Sequence, residues 1–181
     1  MASRSAQIAL LALAAILLGG CGLTASRSNP GYANLDSLGM NDVDNVMTLS
    51  LGTGLLRFAA KHTQDDPETQ ALLNGLDGVR VRLYEIDGDA ARVAARMNRM
   101  GGRLQNQGWN PVAVTRDEDE TVHMLLKRDN ERMVGMLVLV VDENEAVIVN
   151  LMGELQPEMF SDAMVALDVD VAQSIEIASL P

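Results

Sequence analysis

Residues Arg132–Met152 read RMVGMLVLVVDENEAVIVNLM, and the fold follows from how this stretch divides. Met136 to Val141 are apolar without interruption. Alternating apolar and polar residues mark a strand with one wet face, whereas a continuous run marks a strand covered on both. Arg132–Val141 therefore reads as a central strand. The polar triplet Asp142-Glu143-Asn144 allows only a tight turn, so Glu145–Met152 returns beside it as an antiparallel neighbour.

The same logic extends upstream. Trp109–Arg116, the acidic turn Asp117–Glu120, Thr121–Arg128 and the turn Asp129-Asn130 form a second hairpin leading into Arg132. Val79–Ile86 alternates, with Val79, Val81 and Leu83 on one side and Arg80, Arg82 and Tyr84 on the other. Asn45–Leu51 admits two readings: Val43, Val46 and Met47 fall at helical spacing, while Met47, Leu49 and Leu51 alternate with Thr48 and Ser50, which favours a further strand.

Helices fill the gaps. Thr53 can cap a helix over Leu55–His62, and Asp66-Pro67 is a cap followed by proline at the first helical position, opening a short helix Pro67–Asn74. Asp87-Gly88-Asp89 leads into the longest helix, Ala90–Gln107, whose apolar stripe is Val93, Met97, Met100 and Leu104. Gly101-Gly102 weakens that helix by roughly 1 kcal/mol per glycine and predicts a kink or an early end. Pro157 opens a last helix to Leu167. The order is β-α-α-β-α-β-β-β-β-α. It predicts an α+β fold with a single, mostly antiparallel sheet and helices packed on one face.

The N-terminus reads as an address. Met1–Gln7 carries Arg4 and no acid, Ile8–Leu18 is an unbroken apolar run, and Leu18-Gly19-Gly20-Cys21 follows. This is the layout of a secretory signal, and the apolar run is shorter than the ~20 residues of a spanning helix. Leu-Gly-Gly-Cys resembles a lipobox. Cleavage would fall between Gly20 and Cys21, and Cys21, the only cysteine, would take a diacylglycerol on its thiol. Four segments result: a lipoprotein signal peptide over 1–20, the lipidated cysteine and a flexible tether over 21–44, one α+β domain over 45–167, and an acidic tail over 168–181. Gly22–Asn34 (GLTASRSNPGYAN) has no periodicity, and as free coil its mean reach is ~20 Å.

Composition narrows the function. With 25 acidic against 14 basic residues, a net of −11, the chain lacks the positive charge that nucleic-acid binding or a polybasic membrane surface requires. A single cysteine excludes an intramolecular disulfide, so a hydrophobic core of Val, Leu, Ile and Met must supply stability.

No motif for catalysis, a metal or a cofactor survives inspection. Gly52-Thr53-Gly54 lacks the further glycine and the Lys-Ser/Thr of a phosphate loop. Asp87 and Asp89 lack the remaining calcium ligands, and Asp117–Glu120 reads as a solvated turn. His62 and His123 have no His or Cys at zinc spacing. The methionine pairs Met97/Met100 and Met133/Met136 read as core filler rather than as a copper site. Asn150 interrupts the apolar Ala146–Met152 run and, if buried, requires hydrogen-bond partners. Arg92, Arg96, Arg99 and Arg103 recur at helical spacing beside the apolar stripe, as a solvated helix face or as a grip for a carboxylate-rich or phosphate-bearing partner.

The strand Gly78–Tyr84 (GVRVRLY), the segment Leu125–Asp129 (LLKRD) and Gly135–Gly153 (GMLVLVVDENEAVIVNLMG) together resemble the domain of unknown function 4252, a family of small bacterial envelope lipoproteins. The resemblance spans Val46–Leu155 and rests on strands and turns, so it transfers no catalytic residue. It implies a lipoprotein with a part in envelope stress signalling. Similarity to proteobacterial lipoproteins carrying a residue other than Asp after the cysteine implies, through Gly22, the periplasmic face of the outer membrane of a Gram-negative cell. The expectation is a membrane-anchored, non-enzymatic module without a cofactor that binds another envelope protein. The alternative is an envelope lipoprotein that binds a small ligand or a metal.

Overall fold

The computed structural model describes residues 22–35, 44–63, 65–86, 90–116 and 120–155. The elements are β1 (Asp44–Gly52), α1 (Thr53–His62), α2 (Pro67–Gly75), β2 (Leu76–Glu85), α3 (Ala90–Gln105), β3 (Trp109–Arg116), β4 (Thr121–Asp129), β5 (Arg132–Val141) and β6 (Glu145–Leu155). The helix expected from Pro157 lies outside the described residues. So do the expected leader, Cys21 and the acidic tail.

The six strands among the described residues form one antiparallel sheet in the order β1-β2-β6-β5-β4-β3. The apolar run of β5 lies inside the sheet, with Met136 to Leu139 and Val141 all buried. β6, last in sequence, separates the pair β1-β2 from the meander β5-β4-β3. The tight turns have the expected chemistry. Asn130, between β4 and β5, takes a left-handed conformation (φ 56°) that asparagine tolerates. Between β5 and β6, Asp142 Oδ1 accepts from the Asn144 and Glu145 amides at 2.6 and 2.8 Å.

The α+β sheet and the element order are as the sequence predicts, with one difference in the layering: the helices divide between the two faces. On one face α3 packs over β3 and β5, contributing Val93, Met100 and Leu104 to a core with Tyr84, Trp109, Leu125, Leu137, Leu139 and Ile148. On the other face α1 packs on β1 and β2, and α2 on β2 and β6. Leu56, Leu72 and Leu73 there meet a second core that holds Leu76, Met124, Met136 and Val138. The physical reason lies in β5, whose apolar residues point both ways and need cover on both sides.

Local details follow from capping. Asp66 caps α2 through Oδ1, which accepts from the Thr69 amide at 3.0 Å, and Oδ2, which accepts from the Thr69 hydroxyl at 2.6 Å. Those hydrogen bonds hold the carboxyl below its ordinary range. Thr53 does not cap α1. Its hydroxyl donates instead to the Asp77 carbonyl at 2.8 Å, and the N-cap position is Gly52, with no side-chain cap. The Gly101-Gly102 pair does not end α3, which runs through it to Gln105 and is followed by a turn that closes at Gly108 (φ 85°).

Candidate functional site

The segment Gly22–Leu35, expected as a flexible tether, lies against the sheet on the α3 side as a strap. Its ends and middle are all held. The Gly52 amide donates to the Leu23 carbonyl at 2.8 Å, and the Ala25 amide to Ser50 Oγ at 3.1 Å. Asn29 Nδ2 donates to Asp77 Oδ2 at 3.2 Å. Pro30-Gly31 then turns the chain, closed by the Tyr32 amide on the Asn29 carbonyl at 2.9 Å. Ala33 and Leu35 are fully buried and belong to the core beneath α3.

Asn150 is the centre of this arrangement. It sits on β6 with no exposed surface, in an otherwise apolar run. Its Oδ1 accepts the Ala33 amide at 2.9 Å, and its Nδ2 donates to the carbonyls of Gly31 at 3.0 Å and Met136 at 3.2 Å. Arg80, on the neighbouring strand and paired in register with Asn150, donates to the Ala33 carbonyl at 3.2 Å. Its guanidinium also stands 4.6 Å from the centre of the Tyr32 ring. Arg80 is nonetheless 94% withdrawn from water (6% exposed), so the carbonyl and ring stand in for solvent. The expected structural role of Asn150 is thus realised. It joins the beginning of the described chain to its last strand.

The sheet accommodates the strap through a row of glycines. Gly52 pairs with Gly78, Gly78 with Met152, and Met152 with Gly135, so the row crosses four neighbouring strands. A methyl group on Gly52 would stand 2.4 Å from the Thr24 carbonyl oxygen, and one on Gly135 2.8 Å from Gly31 Cα. Only a bare backbone permits another chain to pass that closely. The strap was not legible from GLTASRSNPGYAN itself. Its signals are elsewhere, in glycines inside strands and an amide inside an apolar run.

At its start the strap reaches α1. A methyl on Gly54 would lie 2.9 Å from the Gly22 carbonyl oxygen, so the first described residue is seated on the first turn of this helix. Leu56 and Ala60 point inward from α1, while Leu55, Phe58, Lys61 and His62 are exposed. Arg57 reaches across to α2 and donates to the carbonyl of Asn74 and to Asn74 Oδ1, the latter at 3.2 Å.

The other sequence candidates are dispersed. Cys21 and Gly20 lie outside the described residues. Arg92, Arg96, Arg99 and Arg103 all fall on α3; Arg99 and Arg103 are exposed and Arg96 is half-buried. None of them is part of the strap. His123 lies on β4 facing the α3 side. Burial, and secondarily the charge of Arg116, hold its imidazole below the ordinary value of 6.5. Its Nε2 and the Trp109 indole nitrogen are buried and have no hydrogen-bond partner among the described residues. A recess of about 180 Å³ opens at the strap's corner between Asn29, Asp77, Arg132 and Glu154. Among the described residues, no three His, Cys, Asp or Glu side chains are placed to hold a metal ion.

No curated protein sequence matches the chain significantly. The family model of a domain of unknown function, DUF4252, matches residues 40–163. That match takes in every strand and helix described above together with the strand-borne half of the strap's seat, and the chain belongs to the DUF4252 family.

Proposed function

We propose that this protein is a lipoprotein of the bacterial envelope, anchored through diacylglyceryl-Cys21 after removal of Met1–Gly20. Its domain faces the periplasm and works by binding another envelope component rather than by catalysis. The observation that carries the reading is Leu18-Gly19-Gly20-Cys21 behind an apolar run, with the only thiol in the chain at the position lipidation needs. Each buried methylene contributes ~0.8 kcal/mol, so two or more acyl chains make the attachment effectively permanent. Gly22 after the cysteine favours the outer membrane. Membership in the DUF4252 family is consistent with an envelope role, and a part in stress signalling is the physiological form we assign to it.

The exposed Arg99 and Arg103 on α3 supply the contact surface of this reading. Guanidinium groups at helical spacing suit a partner rich in carboxylates or phosphates, in a protein that is otherwise acidic.

The test is the intact mass of membrane-extracted protein, wild type beside Cys21→Ala, with the two membranes fractionated. A chain beginning at acylated Cys21 in the outer membrane is the expected result. An unmodified chain, or unchanged fractionation of Cys21→Ala, overturns the anchor. Crosslinking of intact envelopes, with and without Arg99→Glu and Arg103→Glu, tests the binding surface separately.

A further inference from the structure

We propose that the domain lies directly on the bilayer, with Leu23 and the outer face of α1, chiefly Leu55 and Phe58, in the headgroup region. This rests on the reading that Cys21 is lipidated. Chain length, apolar exposure and charge all match this pole to a lipid surface.

The first is chain length. Gly22 is seated on Gly54, and the following strap is fixed by the Gly52–Leu23 and Ala25–Ser50 hydrogen bonds. Cys21 is the next residue back, so its Cα is ~3.8 Å from that of Gly22. No slack remains between the lipid and the fold. An acylated cysteine can enter the bilayer only if this pole comes down to the level of the headgroups.

The second is apolar exposure at that place. Leu23 is 51% exposed, Leu55 37% and Phe58 62%, the last being the most exposed large apolar side chain among the described residues. Leu55 directly follows Gly54, and Phe58 lies one turn beyond it on the same side of the helix. Such a cluster is costly in water and is matched by the boundary between headgroups and acyl chains.

The third is charge. α1 (TGLLRFAAKH) contains Arg57, Lys61 and His62 and no acid, in a chain where acids outnumber bases 25 to 14. With Arg57 turned to α2, the exposed Lys61 and His62 stand beside Leu55 and Phe58, and such an amphipathic helix is suited to an interface with anionic lipid.

The experiment uses full-length, lipidated protein reconstituted in vesicles of phosphatidylethanolamine and phosphatidylglycerol. It compares wild type, Phe58→Trp and Val112→Trp, with bromine placed near the headgroup end of the acyl chains. Trp109 is fully buried and supplies a constant background, and Val112 is exposed on β3 at the far edge of the sheet. Phe58→Trp is expected to be quenched at least about twofold more than wild type, as an interfacial aromatic should be, and Val112→Trp no more than wild type. Equal quenching of the two variants, or none beyond wild type while the acylated protein still floats with the vesicles, overturns the inference and leaves the anchor standing. Quenching of neither with a crosslinkable dimer through Phe58→Cys would assign the pole to a second copy and overturn it likewise. Loss of flotation with no acyl mass overturns the anchor itself, and this inference with it.

Discussion

Asn150 Oδ1 accepts the Ala33 amide at 2.9 Å while Asn150 Nδ2 donates to the Gly31 carbonyl at 3.0 Å, so a single side chain on β6 grips a turn and the residue just past it, 119 and 117 residues earlier in sequence. Replacing it with leucine keeps the branching at Cγ but removes the partner of the buried Ala33 N–H and the donor to the Gly31 and Met136 carbonyls. Asn150→Leu should lower stability by roughly 2–4 kcal/mol in urea melts, because each orphaned buried group costs about 1–3 kcal/mol. A loss below about 1 kcal/mol would mean that the strap is not held by this residue.

Gly135→Ala addresses the strap from below. The added methyl would stand 2.8 Å from Gly31 Cα and 2.9 Å from Gly31 O, both backbone atoms that cannot rotate away. We expect the strap to lift while the sheet persists. Trypsin should then cut after the exposed Arg27 several-fold faster, with far-ultraviolet circular dichroism almost unchanged. Cleavage at the wild-type rate would contradict the close packing.

His123 predicts a pH dependence. Burial first, and Arg116 second, lower its affinity for a proton in the fold. The unfolded chain therefore binds more protons below the ordinary value of 6.5, and stability should be fully present above that pH and decline as the pH falls from it. His123→Gln should flatten this limb of the stability profile. Arg116→Gln should flatten it only in part, since burial is the larger cause. An unaltered slope in His123→Gln would show that the imidazole is better solvated than its position on β4 implies.

Trp109 is fully buried, yet its indole N–H has no partner among the described residues. Its fluorescence should be blue-shifted and should resist acrylamide, shifting red only on global unfolding. Trp109→Phe removes contact area but also an unsatisfied buried donor, so the net cost should be about 1 kcal/mol or less, below the usual cost of shrinking a core aromatic. A loss of several kcal/mol would indicate that the indole nitrogen is hydrogen-bonded in solution.

Much of the fold is written locally. Trp109–Arg116 and Arg132–Val141 are legible to the residue because alternation, turn residues and an apolar run all agree there. The cap at Asp66 follows from Asp-Pro alone. The strap escapes such reading because its structure is imposed from a distance. Nothing in Gly22–Leu35 is periodic, and its seat is assembled from Gly52, Gly78, Gly135 and Asn150 on four strands. Thr53 illustrates the same limit. Its position at the head of a helix suggests a cap, but β2 offers the Asp77 carbonyl, and the hydroxyl takes it. The division of helices between faces was implicit in β5, since side chains buried on both sides require two covering layers.

The placement of β6 between β2 and β5 has a consequence for how the chain can acquire its structure. β1 and β2 can pair across the intervening α1 and α2, and β3 to β5 can form a meander, but the two halves share no strand edge until β6 arrives. Loop closure over such separations is slow compared with local pairing. A polypeptide emerging from a ribosome, or threaded end-first through a narrow pore, would remain without its complete sheet until Leu155 is free. Chains halted before Glu145 should therefore stay protease-sensitive and open to export machinery, and protection should appear in one step once residues 145–155 are released.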